Sequence, residues 1–162
     1  MLKYTKTGES ALGWRERSDV EQPALAMKPP VEVEFVEEAG LLIWRPRGIL
    51  NEAAVNKVLV DLLRREAMAA KPFNRFSDLS DVDSFHLTFR YVFHVALHRR
   101  LTYAGRGPIK SAFYVTHPEA AHLVKIHALL TDHSPLRVEM FEEREAAAKW
   151  LGVPVESLMA KG

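Results

Sequence analysis

The chain contains no cysteine among its 162 residues. That absence excludes disulfides, a thiol nucleophile and cysteine-ligated metals, and it leaves the redox compartment open. No apolar run approaches the roughly 18 residues that cross a bilayer. The first residues also lack the apolar centre of a signal peptide. A cytoplasmic protein with no stable membrane insertion is therefore expected. An excess of either charge is missing too: 22 Lys and Arg against 21 Asp and Glu give a formal net charge of +1, which argues against a nucleic-acid partner. G-x-S-x-G, P-loop and G-x-G-x-x-G patterns are all absent, and Gly105-Arg106-Gly107 follows a helical segment, where a nucleotide loop would follow a strand.

What is present suits one domain with a real core, since 48% of residues are hydrophobic and 27% charged. Residues 1–30 are polar, rich in Gly and Pro and without sustained periodicity, and read as a leader; residues 31–162 read as the α/β domain. Val31–Val36 alternates apolar and acidic residues, and Leu41–Arg47 follows across a short turn, so the two predict a hairpin. Pro46 predicts an unpaired side at the end of the second strand. Asn51 is placed to cap a helix over Glu52–Ala69 whose core stripe is Val55, Val58, Leu59, Leu62 and Leu63.

The centre of the chain is Arg75–Tyr103. Asn74–Leu79 reads as a strand and the run from Asp78 to Ser84 as a polar turn. A helix then begins near Thr88, with Thr88 or Ser84 as its cap, and closes before Gly105 and Gly107. Two apolar stripes mark it: Phe85, Phe89, Val92, Phe93, Ala96 and Leu97 on one, Leu87, Tyr91, Val95 and His98 on the other. Strands over Ile109–Val115 and Leu136–Phe141 follow, with helices from Pro118 to about Thr131 and over Glu143–Leu151, and one more turn at Val155–Met159. Short βα alternation implies parallel strands. Because Lys110, Tyr114, Arg137 and Glu139 point away from apolar neighbours, the helices are expected mainly on one face of a sheet of about five strands.

This order resembles the STAS superfamily, the domain of sulfate transporters and anti-sigma-factor antagonists. Asp78-Leu79-Ser80-x-Val82 is similar to the family's Asp-Leu-Ser-x-Val at a strand end. The closing Arg137-Val138-Glu139-Met140-Phe141, followed by Glu145-Ala146-Ala147-Ala148-Lys149-Trp150-Leu151, resembles the bacterial stand-alone branch, whose βα superhelix is shared with CRAL-TRIO lipid carriers. The likeness covers about Val31–Val153. It implies a non-catalytic regulatory or ligand-binding module that meets a regulatory protein partner or a small apolar, lipid-like ligand, and it calls for no cofactor. Antagonists of the regulatory branch carry Asp-Ser-Ser-Gly at the start of the second helix, with the second serine phosphorylated. His86-Leu87-Thr88-Phe89 stands there in this chain, so only the hydroxyl of Thr88 remains and a kinase switch is not expected.

The mouth at the start of that helix is the expected site: Asp81, Asp83, Phe85, His86, Thr88 and Phe89 are the candidate ligand or partner contacts. The alternative is an enzyme that uses the Asp78–Asp83 turn with His86, with metal assistance, because paired carboxylates at a strand end suit acid/base chemistry or magnesium; the same residues also simply build turns and caps. His94 and His98, four apart, have a zinc-compatible spacing but no third ligand, and read as surface or semi-buried histidines. His127, within an apolar stripe, reads as a hydrogen-bonded packing residue. His86–Lys110 carries Arg90, Arg99, Arg100, Arg106 and Lys110 with no acid, hence +5, which suits an anionic partner or the negative end of a helix dipole. A homodimer is expected through the less covered sheet face and the Val31–Val36 edge, with Trp44 and Tyr114 as interface anchors.

Overall fold

A computed structural model describes residues 31–161. The predicted leader lies outside the described residues. The elements are β1 (Val31–Val36), β2 (Leu41–Pro46), β3 (Gly48–Asn51), α1 (Glu52–Ala69), β4 (Asn74–Asp78), β5 (Val82–His86), α2 (Phe89–Tyr103), β6 (Ile109–Tyr114), α3 (Pro118–Thr131), β7 (Leu136–Phe141) and α4 (Arg144–Leu151), closed by a 3₁₀ turn at Val155–Leu158.

The main sheet has the order β1-β2-β4-β6-β7. β1 and β2 are an antiparallel hairpin, turned at Glu37–Gly40, where Gly40 adopts φ +57° and donates its N–H to the Glu37 carbonyl at 3.0 Å. β2, β4, β6 and β7 run parallel. β2 pairs with β4 only from Leu41 to Trp44, so Arg45 and Pro46 run on beyond it, and the missing N–H of Pro46 costs no ladder bond on that side.

Two short parallel strands, β3 and β5, form a second sheet that the sequence reading did not foresee. Gly48, at φ +69°, turns the chain out of β2, and its N–H bonds to the Asp81 carbonyl at 3.0 Å. Val82–His86 is extended, where the sequence suggested that the turn ran to Ser84. Its charged and polar residues hide the pattern, and only pairing with Gly48–Asn51 makes it a strand.

Both faces of the main sheet are covered, with most of the helices on one of them, as expected. Leu42 and Trp44 of β2 pack on one side with Val58 and Leu62 of α1 and Ala120 and Val124 of α3. Leu41 and Ile43 point the other way, with Phe76 and Ala112, against Ala147, Ala148 and Leu151 of α4 and Leu158 of the 3₁₀ turn. Hence all six residues of β2 are buried. Helices α1, α2 and α3 share one face, and α4 alone among the described helices takes the other. The two proposed dimer anchors therefore do not share a face: Trp44 is buried under α1 and α3, while Tyr114 lies on the α4 side beneath the Arg144 guanidinium, 4.1 Å from its ring centroid.

Helix α2 corrects a second reading. Val92, Ala96, Arg99 and Tyr103 are its buried positions. Phe89, Phe93, Leu97 and Leu101, spaced by four, form an exposed apolar ridge on the outside. The basic run from Arg90 to Lys110 is not one stripe either: Arg99 is buried, Arg100 reaches the Leu130 carbonyl at 3.3 Å, and Lys110 reaches the Trp150 carbonyl on the α4 face. No described helix is long and apolar enough to cross a membrane.

The caps follow local rules. Asn51 Oδ1 accepts from the Ala54 N–H at 3.0 Å and Thr88 Oγ1 from the Tyr91 N–H at 3.1 Å. Helix α1 ends on Ala70 at φ +53°, a left-handed conformation that costs a Cβ-bearing residue about 1–2 kcal/mol. Helix α4 ends on Gly152 at φ +76°, which bears no such cost. Ala70→Gly is therefore expected to raise the urea midpoint by roughly 0.5–1 kcal/mol equivalent, and Gly152→Ala to lower it by about 1 kcal/mol; shifts of the same sign in the two variants would contradict this account.

Candidate functional site

A cavity of about 120 Å³ lies between the main sheet and helices α1, α2 and α3. Strand alternation sets its floor, because residues two apart point to the same face. β2 contributes Leu42 and Trp44, β4 Arg75 and Ser77, and β6 Ser111 and Phe113. The small sheet and its flanks supply a side wall of Leu50, Leu79, Phe85 and Leu87. The roof is helical. Val55, Val58, Leu59 and Leu62 come from α1, Leu123, Val124 and His127 from α3, and Tyr91, Val92, Val95 and Arg99 from α2, with the Arg99 guanidinium reaching Ser111 of the floor and bonding His127 there. Val55, Leu59, Tyr91 and Val95 are only half-buried, so the opening runs along the seam between α1 and α2.

Tyr91 crosses that seam. Its hydroxyl lies 2.6 Å from Asn56 Oδ1 and 3.1 Å from the Glu52 carbonyl, and donates to one at a time. Burial, reinforced by nearby Glu52, pushes its pKa up to about 12, so the phenol stays neutral. Thr88 Oγ1 stands 3.4 Å from Glu52 Oε1 at the same place. These contacts join the first turns of the two helices at the mouth.

The floor is unusual in its charge. Glu66 of α1 is 3% exposed and accepts from the Phe73 N–H at 2.9 Å, from Arg75 Nη2 at 3.0 Å and from the Tyr103 hydroxyl at 2.7 Å. Tyr103 in turn accepts from Arg75, whose guanidinium also stacks 4.6 Å from its ring centroid. Burial holds Arg75 below its ordinary pKa and pushes Tyr103 up to about 12. Among the described residues Arg99 has no carboxylate partner. It donates to His127 Nε2 at 2.7 Å and to Ser111 Oγ at 3.4 Å, and burial with the neighbouring Arg75 pushes its pKa down to about 9. It is still protonated at neutral pH. Among the described residues, two guanidinium groups thus face one carboxylate, since His127 is neutral, and no Asp or Glu lines the cavity. An uncompensated buried ion costs on the order of several kcal/mol.

The unmet hydrogen-bonding capacity has one sign. Among the described residues seven buried side-chain nitrogens lack a protein partner: Arg45 Nε and Arg47 Nε lie away from the cavity, and the other five, Trp44 Nε1, Arg75 Nε and Nη1, Arg99 Nε and His127 Nδ1, belong to residues that line it. Because Arg99 can only donate, His127 Nε2 is the acceptor and Nδ1 carries the proton. All five groups are therefore donors.

The residues singled out in the sequence do not converge. Of the six mouth candidates only Phe85 lines the cavity. Thr88 is an exposed helix cap, and Phe89 is 62% exposed on the outer ridge. Asp81 is exposed and pairs with Arg47 at 3.5 Å. Asp83, the unpaired residue where the β3–β5 register shifts, and His86 are both exposed. Asp78 is buried on the α4 face, where its oxygens accept from Arg144 at 2.8 Å and from the Ser80 hydroxyl at 2.6 Å. His94 and His98 are exposed on α2. Trp44, expected at an interface, lines the cavity. His127 is a buried hydrogen-bonded residue, as its apolar surroundings suggested. Glu66, Arg75, Ser77, Arg99 and Ser111 were not singled out. One signal was present: Leu87, Tyr91 and Val95 recur at four, and the next step is Arg99 rather than His98.

Neither protein-family models nor curated proteins give a match to this chain. Among solved structures it is similar to an uncharacterised protein of the DUF3478 family with a SpoIIAA-like fold from Shewanella loihica PV-4, at 15% identity and a TM-score of 0.49, over 75% of this chain and 91% of that one.

The floor gives stability a pH dependence. Burial first, then Arg99 and Arg75, hold the His127 pKa well below 6.5. The unfolded chain therefore takes up a proton that the folded one refuses. His127's contribution is complete above about pH 6.5 and is lost as pH falls below it, at up to about 1.4 kcal/mol per unit. His127→Gln keeps an acceptor for Arg99 but does not titrate. Urea midpoints between about pH 7.5 and 5.5 should fall more steeply for the native protein than for the variant; parallel slopes would contradict the assignment.

Proposed function

We propose that this chain is a non-catalytic binding module that holds a small apolar molecule between its sheet and helices α1–α3. The observation that carries the reading is the cavity itself, walled by Leu42, Leu50, Val58, Phe85, Leu87 and Val95 within the core on the α1–α3 face. Side chains that meet at an apolar void forfeit dispersion contacts, and an apolar ligand restores them. The module also agrees with the regulatory or carrier role that the STAS resemblance implies. The candidate carboxylates favour no competing chemistry, since Asp78 is held by Arg144 and Asp81 pairs with Arg47.

A neutral fluorophore, N-phenyl-1-naphthylamine, tests this directly on the full chain. One-to-one binding at micromolar concentration is expected, with quenching of Trp44, which lines the cavity. Val95→Phe should fill the void and weaken binding by about tenfold or more, at a stability cost of roughly 1–3 kcal/mol. Absence of binding at about 100 μM, or binding that ignores Val95→Phe in protein shown to be folded, would refute the reading. Native mass spectrometry of gently purified protein gives a second readout, in which a co-purifying apolar molecule is expected.

A further inference from the structure

The charge on the cavity floor says more about the occupant than the apolar walls do. We infer that the cavity takes an amphiphilic monocarboxylate, its apolar body against the α1, α2 and α3 side chains and its carboxylate against Arg99, Ser111 and His127. The inference rests on the proposed reading of the cavity as a site for a small apolar molecule, and it specifies the polar end of that molecule.

Charge and hydrogen bonding both point to an anion. Among the described residues, the cavity lining contains two arginines and no acid. Glu66, the carboxylate of the described network, is committed to Phe73, Arg75 and Tyr103, and no described carboxylate pairs with Arg99. The buried groups of the lining that lack a protein partner are five N–H donors and no acceptor. A neutral ligand would meet the apolar walls but leave these donors and the Arg99 charge as they are.

Charge and shape select a carboxylate. The floor carries a single excess positive charge, which one carboxylate neutralises. A phosphate monoester brings about −1.5 to −2 at neutral pH and would overshoot. A planar carboxylate also matches the guanidinium fork, whose Nη2 is held only at 3.4 Å by Ser111 Oγ and whose Nε is free. The Ser111 hydroxyl and His127 Nδ1–H can then complete the ring of donors. The size is also constrained. A cavity of about 120 Å³ compares with roughly 150 Å³ for an apolar cavity that accepts benzene. The enclosed part of the apolar body is thus about one ring or a short acyl chain, and a longer tail, or the remaining rings of the fluorophore, leaves through the α1–α2 seam past Tyr91.

The test is displacement of N-phenyl-1-naphthylamine from the full-length protein by three ligands with the same chain: octanoate, octan-1-ol and octyl phosphate. Octanoate is expected to displace the fluorophore at a concentration at least about tenfold below either of the others. Arg99→Met removes the charge while keeping the volume, and should bring octanoate and octan-1-ol within about threefold of each other while fluorophore binding persists. If that variant does not fold, the ranking on the native protein decides by itself. Equal displacement by octanoate and octan-1-ol would overturn the carboxylate inference and leave the apolar reading standing. Best displacement by octyl phosphate would overturn it in favour of a dianionic head. If neither the fluorophore nor any competitor binds, the apolar reading has failed and this inference falls with it.

Discussion

The structure depends on a charged network placed where a sheet protein ordinarily keeps its driest contacts. Glu66 from α1, Arg75 from β4 and Tyr103 from α2 share one set of hydrogen bonds, and Arg99 from α2, Ser111 from β6 and His127 from α3 share a second, the two sets being joined through helix α2 and strand pairing. Five elements are held in register by groups that cannot be left unpaired without cost, since a buried unsatisfied donor or acceptor costs about 1–3 kcal/mol. Apolar contacts alone would let α2 slide on the sheet; a directional network does not. The same network leaves one charge over, so what fixes the architecture also polarises the space beside it.

The small β3–β5 sheet explains why there is space at all. Gly48 turns the chain out of the plane of β2 just where β2 outruns its pairing with β4. β5 then returns beside β3 and places Phe85 next to Leu50 across the ladder. These two residues form part of the wall of the cavity between β2 and α2. The outer ridge of α2, from Phe89 to Leu101, is the other side of this arrangement: a helix that turns Tyr91, Val95 and Arg99 inward must present its remaining apolar positions outward.

Much of the fold was legible in the sequence. The hairpin, the four helices, their Asn51 and Thr88 caps and the four parallel strands follow from alternation, helical period and breaker residues, which are local signals. What local signals do not carry is pairing between two strands of four and five residues whose composition is that of a turn, and so β3 and β5 were missed. The site was less legible for a related reason. Polar residues at Asp81, Asp83 and His86 attracted attention because they cluster in sequence, yet they face water. Arg75 and Arg99 are 24 positions apart, and each looked like an ordinary surface charge. Only the packing of α2 across β4 and β6 puts them on one floor. Helical spacing did hold the clue at Arg99, but an arginine on an apolar stripe is usually read as the end of the stripe.

Arg45 carries a consequence for the order in which the molecule is made. Its side chain is 4% exposed, and one nitrogen, Nη2, is satisfied by the carbonyls of Leu158 and Met159 at 3.1 and 2.9 Å, 113 and 114 residues further on. At a translation rate of about 5–20 residues per second, those carbonyls arrive roughly 6–23 s after Arg45 itself. Until then β2 cannot bury that nitrogen in its final environment, although Glu32 and Glu34 are already at hand. Strand β2, between β1 and β4 in the sheet, is therefore synthesised well before the contacts that seal it. During that interval the nascent chain offers an incomplete parallel sheet to whatever chaperone or ligand meets it first.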